Sequence, residues 1–122
     1  WSSSMIEDND LRKIYHESDL VILPLKNTIQ PSGQSVTLQA LSCGTPVMIT
    51  KIDGFWDKES FKNMESIVFI EKNNIQLWSD NLDALFNNQE LYNKLGLNGH
   101  VMVNENFNIE YFYKELKKLI LN

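Results

Sequence analysis

Ser32-Gly33-Gln34-Ser35 is the stretch of this chain best suited to hold an anion, and it runs straight into Ser35–Cys43, which reads as a helix. A helix N-terminus offers unpaired backbone N–H groups and about half a positive charge. Gly33 lets the backbone come close to a ligand, and Ser32 and Ser35 add hydroxyl donors. Together these fit a phosphate or diphosphate. The same residues equally describe an ordinary helix start with a serine as N-cap. Gln39, one turn further on, is both donor and acceptor in an otherwise apolar helix. Either it bonds backbone inside the core, or it faces a cleft and bonds a ligand's hydroxyls. Lys51, Asp53 and Gly54 follow the next apolar run. Lys51 suits a phosphate as a point charge and Asp53 a sugar hydroxyl; the alternative is a solvated turn.

The remaining reactive side chains carry less. His16 stands near an expected helix end, where it favours the macrodipole. His100 lies on a weak helix far from both loops, Cys43 reads as core, and Asp57 and Glu59 read as a surface loop. No Ser-His-Asp or metal-binding pattern is present, and Ser32-Gly33 lacks the Gly-Lys-Ser/Thr that would continue a phosphate-binding P-loop.

Positioning these loops requires a sheet. Asp8, Asn9 and Asp10 offer N-caps before Leu11, Ile14 and Tyr15, whose spacing predicts a helix over about 10–17. Leu20-Val21-Ile22-Leu23, bounded by Pro24, reads as a strand buried on both faces. Residues 25–34 form a loop, and the helix 35–43 closes at Gly44. Its apolar residues surround the axis, which predicts a largely buried helix. Val47-Met48-Ile49-Thr50 is a second buried strand, so strand, helix and strand make a parallel βαβ unit. Residues 51–66 read as polar and irregular, and Ile67–Ile70 as a third strand. Helical spacing then runs through Ile75, Trp78, Leu82, Leu85 and Phe86, through Leu91, Leu95 and Met102, and through Ile109, Phe112, Leu116, Leu119 and Ile120. Gly96 and Gly99 weaken the middle helix. Three parallel strands and about five helices predict an α/β, Rossmann-like fold. In such a sheet ligands bind beyond the carboxyl ends of the strands, which is where loops 25–34 and 51–57 leave.

The 122 residues suit one domain, and a formal charge of −5 argues against a nucleic-acid partner. The single cysteine excludes an internal disulfide. No apolar run approaches the ~20 residues of a membrane span, and the expected location is cytoplasmic. The chain opens on Trp1 rather than Met, with Trp1–Ser4 reading as the tail of a missing strand. The expectation is a piece of something longer.

Residues 30–50 read Gln-Pro-Ser-Gly-Gln-Ser-Val-Thr-Leu-Gln-Ala-Leu-Ser-Cys-Gly-Thr-Pro-Val-Met-Ile-Thr. This closely resembles the donor-binding segment of GT-B glycosyltransferases of the "glycosyl transferases group 1" type, roughly Glu-Gly-Phe-Gly-x-x-x-Leu-Glu-Ala-Met-Ala-Cys-Gly-Thr-Pro-Val. Leu11 to Pro24 resembles the helix and strand before it, and residues 67–122 the closing strand and helices.

The resemblance implies that residues 1–122 are part of a C-terminal nucleotide-sugar-binding domain, the first strands and a separate N-terminal acceptor domain being absent. The full-length enzyme would transfer a sugar from a nucleotide-sugar to a glycan or other acceptor, in the cytoplasm or at the inner face of a membrane, with peripheral membrane association possible. Ser32–Ser35 would face the donor diphosphate and sugar. No cofactor beyond the donor substrate and no metal is implied, and no residue is assigned to catalysis. The second glutamate of the family's E-x7-E motif falls on Gln39 and usually meets the ribose; the first falls on Pro31, or on Gln30 with a one-residue offset. Both glutamates are replaced here, which leaves the sugar and the stereochemical outcome open. Two other readings stand beside this one: a non-catalytic nucleotide-binding or interaction module derived from such a domain, and a GT-B sugar-nucleotide epimerase or phosphorylase.

Overall fold

Apolar runs and helical spacing alternate along this chain, and the elements follow that alternation. A computed structural model of the chain describes residues 8–27, 29, 33–55 and 59–106. Helix α1 spans Asp8–Glu17, strand β1 Val21–Leu23, helix α2 Gln34–Ser42, strand β2 Val47–Thr50 and strand β3 Val68–Ile70. Helices α3, Ile75–Phe86, and α4, Gln89–Asn106, close the described chain. The expected helix through Ile109–Ile120 and the expected strand tail Trp1–Ser4 lie outside the described residues.

The three strands are parallel in the order β1-β2-β3, with Ile22 beside Met48 and Met48 beside Val68. Successive side chains point to opposite faces of a strand. Val47 and Ile49 join Tyr15 of α1 and Ala40 and Leu41 of α2 on one face. Met48, Val68 and Ile70 meet Leu85 of α3 and Leu95 of α4 on the other. The result is an α/β layered fold with helices on both sides of a Rossmann-like sheet.

Three expectations change. First, β1 is not buried on both faces. Val21 and Leu23 pack toward the α1 and α2 side, but Ile22 is 49% exposed. Among the described strands it lies on the edge one, where Ile22, Pro24, Ile75, Trp78 and Leu82 line an open apolar groove. Second, α2 is buried on one side only: Thr37, Ala40 and Leu41 are enclosed, while Gln34, Ser35 and Ser42 are exposed. Cys43, at its C-cap, is half-buried against the core rather than within it. Third, the polar stretch after β2 contributes to the core. Ile52, Phe55 and Phe61 are buried, and Phe55 stacks edge-to-face on Phe61 and Phe69 at centroid distances of 5.3 and 5.0 Å. Single aromatics without a period escape pattern reading but bury large areas.

The two helix-weakening glycines in α4 have a packing reason. A Cβ on Gly96 would sit 2.9 Å from the Gly44 carbonyl oxygen, and one on Gly99 would sit 2.7 Å from Leu41 Cδ2 and 3.0 Å from the Ser66 carbonyl oxygen. The glycines let α4 lie directly on α2 and its C-terminal turn.

Candidate functional site

The loops after β1 and β2 both leave the carboxyl edge of the sheet, and α2 starts there. Its N-cap is Gly33, with φ 78° and ψ 4°, and no side chain caps it. The expected serine cap is therefore not what begins this helix; Ser32 lies outside the described residues. No acidic side chain occupies the first turn, and Gln34 and Ser35 are exposed. Among the described residues no side chain takes up the first N–H groups, which carry a partial positive charge.

Gly33 owes its identity to the fold. Left-handed backbone disfavours any residue with a Cβ. A Cβ there would also point inward, 3.1 Å from Ile49 Cδ1 and 3.3 Å from Leu25 Cδ1. Close approach of a ligand is not needed to explain this glycine.

Beyond β2, Lys51 and Asp53 are exposed and Gly54 is buried. Lys51 Nζ lies 3.7 Å from Glu71 Oε1, an exposed pair of small energetic weight. Asp53 is neither free nor merely solvated. Its N–H donates to Asn27 Oδ1 at 2.9 Å, and its carboxylate accepts from Asn27 Nδ2 at 3.1 Å. The pair joins the two loops. Thr50 and Asn73 tie the same edge together: Leu25 N–H donates to Thr50 Oγ1 at 2.9 Å, and the Thr50 hydroxyl donates to Asn73 Oδ1 at 2.7 Å. Sequence reading missed Asn27, Thr50 and Asn73, because isolated polar residues far apart in sequence carry no period. The structure brings Gly33, Gln34 and Ser35 to the same edge as Lys51, Asp53 and Gly54.

Gln39 is turned to a different neighbour. The Tyr15 hydroxyl donates to Gln39 Oε1 at 3.0 Å, between α1 and α2. Burial, with Cys43 alongside, pushes the Tyr15 phenol above its ordinary value, so it keeps its proton and remains a donor at neutral pH. Gln39 is half-buried and lines a shallow cavity with Leu11, Arg12, Tyr15, Ser42 and Cys43. Its Nε2 has no partner among the described residues. His100 also has a structural partner: its Nδ1 lies 2.9 Å from the Ser42 carbonyl, so that nitrogen carries the proton and donates. Asn104 Nδ2 lies 3.0 Å from the other ring nitrogen.

Comparison with known proteins places this geometry. A family model described as glycosyl transferases group 1 matches residues 4–102. Among solved structures, the chain is similar to the C-terminal domain of the glycosyl transferase group 1 family protein LpcC from Francisella tularensis, with 24% identity and a TM-score of 0.69 over 84% of this chain and 50% of that one. It is similar to a glycosyltransferase from Rickettsia africae, with 21% identity and a TM-score of 0.74 over 92% of this chain and 29% of that one. It is also similar to HepE from Anabaena, solved in complex with UDP and glucose, with 16% identity and a TM-score of 0.75 over 91% of this chain and 29% of that one. The chain thus spans half or less of the length of each of these three. No curated protein matches it in sequence. Among the described residues no helix is long and apolar enough to cross a membrane.

Proposed function

Because the chain belongs to the glycosyl transferases group 1 family, we propose that it is the donor-binding part of a glycosyltransferase that moves a sugar from a nucleotide-sugar to a glycan or other acceptor. The observation that carries this is the start of α2: a helix N-terminus at the carboxyl edge of a parallel sheet, with no acid in its first turn and, among the described residues, no side chain capping it. The leaving diphosphate gains charge as the glycosyl bond breaks. Fixed N–H donors aimed at that charge stabilise it without reorganising. Gln34 and Ser35 stand beside those donors, Ser32 precedes them in sequence, and Lys51 lies on the adjoining loop as a second cation source. Gln39, one turn along α2, takes the ribose position by family likeness, offering an amide where the family has a carboxylate. Acceptor binding falls to a separate domain, since transfer needs both reactants held in register. The reading sets the enzyme in the cytoplasm or at the inner face of a membrane.

Titration of the full-length protein with UDP and GDP tests the reading; UDP comes first because HepE holds it. Saturable binding of one nucleoside diphosphate is expected. Ser35→Asp separates an anion site from a bare helix end. An acid in the first turn favours the helix dipole, so thermal stability should hold or rise, while nucleotide affinity should fall about tenfold or more through like-charge repulsion. Failure of the full-length protein to bind any nucleoside diphosphate would overturn the reading.

A further inference from the structure

The carboxyl ends of the strands are joined by a closed circuit of hydrogen bonds. Leu25 N–H donates to Thr50 Oγ1 at 2.9 Å, Thr50 Oγ1 donates to Asn73 Oδ1 at 2.7 Å, and Asn73 Nδ2 donates to the Leu25 carbonyl at 2.7 Å. The Thr50 hydroxyl also has the Leu23 carbonyl at 3.4 Å, and the shorter contact to Asn73 closes the circuit. A backbone N–H only donates and a carbonyl only accepts, so Thr50 accepts from Leu25 and the Asn73 amide turns its Nδ2 to the Leu25 carbonyl and its Oδ1 to Thr50. Trp78 Nε1 of α3 adds a second donor to Asn73 Oδ1 at 3.2 Å. Two residues beyond Leu25, the side chain of Asn27 is held by both the N–H and the carboxylate of Asp53.

Segment 25–27 is therefore fixed at both main-chain groups of Leu25 and at the side chain of Asn27. Its Leu25 side chain lies beside Gly33 at the start of α2, where a Cβ would stand 3.3 Å from Leu25 Cδ1. Thr50 is buried, but Asn73 is exposed, and water can replace its bonds at modest cost to the fold. An exposed partner such as Asn73 that closes a hydrogen-bonded circuit sets position more than it adds stability.

Resting on the donor-binding reading above, we propose that Thr50 and Asn73 are positioning residues for the donor diphosphate: they hold the strand-end segment 25–27, whose Leu25 side chain lies beside Gly33 at the α2 N-terminus, in register with the loop after β2. Sites of this kind tolerate displacement of only about half an ångström. Neither residue is required to touch the donor.

The test uses the full-length protein and whichever of UDP or GDP the wild type binds. Thr50→Val removes the hydroxyl and opens the circuit at two points, whereas Thr50→Ser keeps it. Asn73→Ala opens it from the exposed side. We expect at least a tenfold loss of nucleotide affinity in Thr50→Val and Asn73→Ala, near-wild-type affinity in Thr50→Ser, and a donor KM that rises more than kcat falls. Should Thr50→Val fail to fold, Asn73→Ala decides, because Asn73 lies at the surface. A wild type that binds while Asn73→Ala binds equally well overturns the positioning role and leaves the donor reading standing. A wild type that binds no nucleoside diphosphate overturns both.

Discussion

The two ends of α2 are finished in opposite ways. At its C-terminus every exit is closed. The Gly44 N–H donates to the Leu41 carbonyl at 2.9 Å and the Thr45 N–H to the Ala40 carbonyl at 3.0 Å, the paired bonds of a Schellman turn with Gly44 at φ 78°. His100 then takes the Ser42 carbonyl, and Gly96 and Gly99 bring α4 into contact with the turn and with Leu41. At the N-terminus no side chain among the described residues closes anything. Unpaired backbone groups are stabilised at one end by packing and hydrogen bonds and at the other are kept available. Scaffold and site are thus two treatments of the same helix.

The contrast can be broken most severely at the closed end. Gly99→Val drives a branched side chain against Leu41 and the Ser66 carbonyl. Leu41 can shift a little but the carbonyl cannot, so a loss of about 3 kcal/mol is expected from overpacking, read by chemical denaturation. A loss under half of that would mean that α4 can ride away from α2, and that the closed end is looser than its geometry.

At the open end, Gly33→Ala forces a Cβ into left-handed backbone against Ile49 and Leu25. The expected cost is about 1–2 kcal/mol of stability. Any fall in nucleotide affinity in that variant has to be compared with its melting temperature, whereas Ser35→Asp moves affinity and stability in opposite directions. An unchanged melting temperature in Gly33→Ala would show that the helix start adapts rather than being held.

His100→Ala sharpens the comparison on a smaller scale. It leaves the Ser42 carbonyl without its imidazole donor, and a loss of about 1 kcal/mol is expected, with nucleotide affinity unchanged because the residue serves the opposite end. Weakened binding in this variant would couple the two ends through the helix.

The smallest effect is expected midway, at Gln39→Glu. The new carboxylate still accepts from the Tyr15 hydroxyl, and the position is only half-buried, so the stability change should stay under about 1 kcal/mol. A large fall in melting temperature with affinity intact would make Gln39 a core amide and remove it from the ribose position.

Much of this architecture is legible in the sequence for a local reason. The runs Val21–Leu23, Val47–Thr50 and Val68–Ile70, and the helical spacing from Ile75 to Phe86, report burial over a few residues, which is the range over which a period can be read. Gly44 announces the end of α2 because only a left-handed residue closes that turn. The start of α2 was legible as a place but not in its construction: a serine cap was the simplest local reading, and Gly33 caps without a side chain.

By itself the sequence determined the order of elements, the parallel βαβ unit, the helix that starts at the carboxyl edge, and the segment that carries the family. Tertiary structure alone decided the partners of single polar and small residues. Gly99 looks like a flaw in a helix until Leu41 is found against it. Asp53 looks like an isolated loop acid until Asn27 is found beside it, joining the two loops. Asn73 looks like loop polarity until it closes a circuit with Thr50 and Leu25, from 48 residues away along the chain. Periodicity records which way a side chain faces, a property of its own neighbourhood. Which group stands opposite depends on where distant chain returns, and only the packed sheet and helices fix that.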